Sequence, residues 1–120
     1  ETDARLASFG FRIGMPFEEY CAAVFDRPHS KQNPHVQRQV DILLGAGELA
    51  VDFIGRLENL ERDLTRLTAS LGQGPPPIRS MNKSSSKGWR HSELLTPGIT
   101  EKLRHFYEQD LRFFGYTVDR

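Results

Sequence analysis

The chain has 120 residues, 38% hydrophobic and 27% charged, which suits one domain with a modest core. Its 16 basic and 16 acidic side chains cancel, so net charge gives no reason to expect nucleic acid as a partner, and we predict none. No apolar run approaches the length of a membrane span, so none is expected.

The first predicted helix covers residues 16–25, where Phe17 and Val24 belong to one apolar face and Pro16 suits the first helical position. Cys21, the single cysteine, falls on that face, so we predict a small buried residue and no internal disulfide. Four histidines without ligand spacing predict no metal site.

An apolar run at 49–55 follows two glycines and predicts a central strand buried on both faces. A helix is predicted directly after it, at 59–71, with Asn59 as N-cap and Gly72 just past its end. Strand and helix together are half of a βαβ unit, so the fold class is α/β, mostly helical with one central strand. A lone strand must be paired by a larger domain or by another copy of the chain.

The last helix is predicted at 97–114, with Thr96 as cap, Pro97 in the first turn and Gly115 as the stop. We expect the apolar stripes of the last two helices to form the core; their members are Leu57, Leu60, Leu64, Leu67, Leu71, Ile99, Leu103, Phe106, Tyr107, Leu111 and Phe114.

Residues 73–95 form a connection in which no acidic residue precedes Glu93. It contains cations, a run of serines and Gly88, whose backbone can approach a ligand closely. Charges, hydroxyls and accessible amides are what a phosphate or sulfate requires, so an anion-binding loop is predicted. The same composition is typical of a solvated linker, although Trp89 favours a loop that packs.

Four segments resemble the carbohydrate (Golgi-type) sulfotransferases and their bacterial relatives. Residues 52–63 read DFIGRLENLERD, residues 81–85 MNKSS, and residues 106–116 FYEQDLRFFGY, each similar to a stretch of that family. Residues 35–39, HVQRQ, are similar to a family element in which an aromatic residue stands at Val36 and a proline at Arg38. The segments occur in the family's order.

The resemblance implies a P-loop-kinase-like α/β fold that transfers a sulfuryl group from 3′-phosphoadenosine 5′-phosphosulfate (PAPS) to a hydroxyl, usually of a carbohydrate. Residues 1–120 would be a single C-terminal segment of such a domain. The basic loop would close over the donor's 3′-phosphate, and the residues matched to it are Lys83, Ser84, Ser85, Lys87 and Gly88.

His35 is the candidate for acceptor binding or proton transfer, and otherwise a polar loop residue without a role. Gln39 is a candidate partner for a sugar hydroxyl. Arg56 either points into the nucleotide cleft or forms an ion pair with Glu58 that locks the turn.

The family's cradle for the 5′-phosphosulfate has no counterpart in these residues. We therefore expect the isolated chain to be inactive, with an N-terminal half supplied elsewhere. The alternative is a non-catalytic module that binds anions or self-associates through an unpaired strand. A soluble protein is expected, in the bacterial cytoplasm, or in the Golgi lumen for a eukaryotic chain.

Overall fold

Helices dominate the part of the chain that the computed structural model describes, which is residues 2–79 and 91–118. The helices are α1 Thr2–Ser8, α2 Phe17–Phe25, α3 Gln39–Leu43, α4 Leu60–Ser70, α5 His91–Leu94, α6 Pro97–Phe106 and α7 Glu108–Phe114. Two short strands, β1 Leu44–Gly45 and β2 Glu48–Leu49, and 3-10 turns at His29–Lys31 and Leu57–Asn59 complete these elements. The mixed and mostly helical content agrees with the prediction.

Helix α2 begins one residue later than predicted, because Pro16 has extended backbone (φ −58°, ψ 148°) and is the N-cap. Cys21 is 4% exposed, which confirms it as a buried core residue. The buried side chain of Gln32 closes the far end of α2, since its Nε2 donates to the carbonyls of Val24 at 2.6 Å and Arg27 at 2.7 Å. One carbonyl lies in the last turn of α2 and the other just beyond it, so Gln32 adds hydrogen bonds where helical pairing ends.

The predicted central strand at 49–55 is wrong. The two strands form an antiparallel hairpin in which Leu44 pairs with Leu49, and the turn has positive φ at Ala46 and Gly47. The N–H of Ala50 still donates to Leu43, but residues 50–55 then leave the hairpin. No third strand among the described residues lies beside them, so their backbone has no ladder to join.

Much of the leucine stripe that runs from the 3-10 turn at Leu57–Asn59 through α4 to Leu71 is exposed, although it was expected in the core. Leu57 is 82% exposed and Leu71 67% exposed, while the one buried residue of α4 is Asp63. The leucines remain exposed because the described residues contain only a two-stranded sheet, which is too small for the stripe to cover. Gly72 has the left-handed backbone predicted for a residue past the helix end (φ 69°), whereas the side chain of Asn59 makes no capping bond.

The predicted last helix is two helices that meet at Tyr107 (φ −102°, ψ 19°). Its predicted ends are confirmed: the Thr96 hydroxyl accepts the Ile99 N–H at 3.3 Å, and Gly115 is left-handed at φ 70°. The turn at Tyr107 allows α6 to pack on α2 and α7 to pack on α3. Ile99 and Phe114 are buried in these two contacts, as the stripe predicted.

Asp110 in α7 caps the N-terminus of α3 across the fold. Its two carboxylate oxygens accept the N–H groups of Gln39 and Val40, each at 2.9 Å. The N–H groups of a first helical turn have no partner inside their own helix, so the carboxylate satisfies donors that would otherwise be unpaired. Val40, only 3% exposed, is thereby held against α7.

We predict that Asp110→Asn lowers the free energy of unfolding by about 1–3 kcal/mol, because an amide presents one acceptor where the carboxylate presents two. Urea denaturation measures the change. Glu108→Gln in the same helix is the control, since its ion pair with Arg112 is long (3.9 Å) and exposed and should contribute less than about 0.5 kcal/mol. Equal losses in the two variants would contradict the capping role.

Candidate functional site

A cavity with a volume of about 960 Å³ lies beside α2. The loop before α2, α2 itself, the turn at 33–35 and the α5–α6 junction surround it. Its lining is mainly apolar and consists of Leu6, Phe11, Arg12, Ile13, Gly14, Met15, Pro16, Phe17, Glu18, Tyr20, Asn33, His35, Glu93, Leu94, Thr96 and Ile99.

His35 reaches this cavity from a tight turn. The Asn33 Oδ1 accepts the backbone N–H of His35 at 2.9 Å, an arrangement that fixes the backbone just before the histidine. The side chain of Asn33 lines the cavity as well. His35 is exposed, so its ring is accessible to a molecule that enters from solvent.

Hydrogen bonds from the last two helices fix the residues that follow His35. The Tyr107 hydroxyl donates to the carbonyl of Val36 at 2.7 Å, and Asp110 binds the backbone of Gln39 and Val40 as described. Residues 36–40 are thus fixed to α7 and to the α6–α7 junction by three bonds. Burial raises the pKa of Tyr107 to about 12, with smaller effects from Tyr20 and Asp110.

Arg56 belongs to a second set of contacts, with the end of α7. Its guanidinium donates to the carbonyl of Phe114 at 2.5 Å and lies 5.1 Å from the centre of the Tyr116 ring. The backbone N–H of Arg56 donates to the buried carboxylate of Asp63 at 3.0 Å, and this bond is the main cause that lowers the pKa of Asp63. Arg56 is therefore a structural clamp in this fold.

Glu58 completes this set and is not the partner of Arg56 that was proposed. Its carboxylate accepts the hydroxyl of Tyr116 at 2.9 Å. A bond to its own backbone N–H is the main cause that lowers the pKa of Glu58, and the Tyr116 bond adds to it. The turn is locked, as one of the two interpretations held, but through α7 and the residues that follow it.

Of the predicted site residues, His35 lines the cavity, whereas Gln39 and Arg56 do not. The predicted donor-binding residues, Lys83, Ser84, Ser85, Lys87 and Gly88, lie outside the described residues. The sequence interpretation missed Tyr20 and the loop before α2. The only signals for that loop were Gly10 and Gly14, which have left-handed backbone (φ 76° and 75°) and so turn the chain around the cavity.

Comparisons with protein-family models, with curated proteins and with solved structures found no match to this chain. Among the described residues, no cluster of side chains has the make-up of a metal site. In the same part of the chain, no helix has the length and apolar character needed to cross a bilayer.

We predict that Tyr107 is the last of the three tyrosines to ionise, and that Tyr107→Phe removes this final step from an ultraviolet titration. A raised pKa means that the folded state keeps the proton, so the contribution of Tyr107 to stability is present below pH 10.0 and is lost as pH rises towards about 12. Denaturation across that range should show a smaller loss in the variant.

Tyr116→Phe is the control for this titration, because Tyr116 is exposed and its hydroxyl donates to the exposed Glu58. It should leave the final ionisation step in place. A final step that disappears with Tyr116 and persists without Tyr107 would contradict the assignment.

Proposed function

We propose that this chain is the C-terminal part of a PAPS-dependent sulfotransferase within a P-loop-kinase-like α/β domain. The cavity beside α2 is its acceptor site, and the basic segment at 83–88 is its contact with the donor's 3′-phosphate. The cradle for the 5′-phosphosulfate is then supplied by protein outside these 120 residues.

One observation carries the proposal: His35 and the residues just after the basic segment line the same cavity. Glu93, Leu94 and Thr96 line it, and Lys87 precedes Glu93 by six positions in the sequence. We propose that the basic segment supplies positive charge to the site at which His35 is the proton acceptor, and these are the two groups that the reaction needs. Two of the resembling segments, at 35–39 and 81–85, belong to these two groups.

The chemistry assigns a role to each group. The oxygen of the acceptor attacks the sulfur of PAPS, the bond from sulfur to the bridging phosphate oxygen breaks, and adenosine 3′,5′-bisphosphate leaves. His35 accepts the proton that the acceptor hydroxyl loses. Lys83 and Lys87 stabilise the negative charge of the departing nucleotide, and the hydroxyls of Ser84 and Ser85 donate hydrogen bonds to its 3′-phosphate.

We expect the isolated chain to bind adenosine 3′,5′-bisphosphate with a dissociation constant of about 1 mM or weaker, and to show no turnover with PAPS, because most donor contacts are absent. Ligand-observed NMR measures the binding. Lys83→Ala combined with Lys87→Ala should abolish the signal, and adenosine 5′-monophosphate, which has no 3′-phosphate, should bind more weakly still.

The matched control replaces two exposed cations far along the chain from that segment, Arg5→Ala with Lys31→Ala, and should leave nucleotide binding unchanged. Submicromolar binding or turnover by the isolated chain would contradict the division of labour. Nucleotide binding that survives loss of both lysines would contradict the donor assignment.

A self-associating module is the second candidate, and the exposed leucines of α4 are the observation that favours it. Leu57, Leu60 and Leu71 are 82%, 39% and 67% exposed, and exposed apolar surface is typical of interfaces. Self-association through an unpaired strand has less support, because β1 and β2 pair with each other. Light scattering tests this candidate: a dimer that Leu57→Ser disperses favours it, and a monomer at all concentrations removes it.

A further inference from the structure

The walls of the cavity beside α2 are suited to an apolar molecule. Phe11 and Tyr20 pack with ring centres 4.8 Å apart, and Phe17, Met15 and Ile99 add further apolar surface. Phe11 and Ile99 are each only 8% exposed, so these walls are anchored in the core and their shape is largely preformed. A volume of about 960 Å³ is at the upper end of pockets that hold small organic molecules.

Three of the polar side chains around this cavity are engaged with the protein, and the exposed carboxylates of Glu18 and Glu93 also line it. Arg12 forms an ion pair with Glu19 at 2.5 Å, the Thr96 hydroxyl caps α6, and the Asn33 Oδ1 accepts the His35 N–H. Within the described ranges, the rings of Tyr20 and His35 make no hydrogen bond to the protein. Burial raises the pKa of Tyr20, so its hydroxyl stays protonated and can donate.

The mainly apolar lining of the cavity favours one class of acceptor molecule over another. A bare sugar presents a hydroxyl on most of its carbons, and each one that enters an apolar site without a partner costs free energy. A molecule with an aromatic or branched aliphatic body and one hydroxyl loses little, because its body replaces water against Phe11 and Phe17 while Tyr20 and His35 meet the hydroxyl.

We infer that the cavity binds an acceptor whose body is aromatic or aliphatic and whose single hydroxyl faces His35, in place of the carbohydrate that the family resemblance implies. The inference rests on the proposed function for the reaction that follows binding. Binding itself depends on different residues from those that hold the nucleotide, so it can be measured separately.

The experiment uses the whole chain and two probes, 2-naphthol and methyl β-D-galactoside, with calorimetry or amide NMR as the readout. We expect 2-naphthol to bind with a dissociation constant of about 0.1–1 mM and to shift amides of the loop before α2, and the galactoside not to bind. Phe17→Ala should weaken 2-naphthol binding about tenfold, because Phe17 forms part of the wall.

A matched pair of surface variants keeps the test valid if Phe17→Ala fails to fold. Ile13 lines the cavity and is 80% exposed, whereas Leu57 does not line it and is 82% exposed. Because both side chains are exposed, neither replacement should disturb the core. Ile13→Ser should weaken 2-naphthol binding about threefold, and Leu57→Ser should leave it unchanged.

Three results would overturn the inference. One is absence of 2-naphthol binding, and another is binding that neither Phe17→Ala nor Ile13→Ser reduces. The third is a second copy of the chain as the occupant, seen as a dimer in light scattering that Ile13→Ser disperses. A different result would contradict the proposed function alone. If the nucleotide still binds after Lys83→Ala and Lys87→Ala, and 2-naphthol binds as expected, the donor assignment is wrong and the ligand class inferred for the cavity is unaffected.

Discussion

The fold depends on hydrogen bonds between side chains and backbone groups that join the middle of the chain to its last two helices. Asp110 holds the first turn of α3, Tyr107 holds the carbonyl of Val36, and Arg56 reaches the carbonyl of Phe114. These bonds join residues at least 58 positions apart, and the buried hydrophobic core around them is small. Side-chain bonds to distant backbone groups, three of which involve a charged group, therefore help to fix the tertiary structure.

These contacts give the resembling segments a physical meaning. The segments at 35–39, 52–63 and 106–116 contain residues that make long-range hydrogen bonds or support them: Gln39, Arg56, Glu58, Asp63, Tyr107, Asp110 and Tyr116. These particular residues have an architectural role that accounts for them without a catalytic one. The chemistry of the proposed site rests instead on His35, whose turn these hydrogen bonds hold at the cavity, and on the basic segment.

Local signals allowed accurate predictions, and long-range ones did not. The Thr96 cap, the stop at Gly115 and the burial of Cys21 follow from a few neighbouring residues, and the structure confirms them. The strand at 49–55 required a partner that periodicity cannot show, and the leucine stripe of α4 required a surface to cover. The cavity was not foreseen because its wall combines a glycine-turned loop, α2 and the start of α6, which only the tertiary structure brings together.

Native-state hydrogen exchange of the amides of Gln39 and Val40 tests the central claim most directly. N–H groups in the first turn of a helix have no partner within their helix and normally exchange quickly. If Asp110 binds both, their exchange should be slowed at least about a hundredfold relative to an unstructured peptide, and Asp110→Asn should restore fast exchange. Exchange of both amides at the unprotected rate in the unmodified chain would contradict the account.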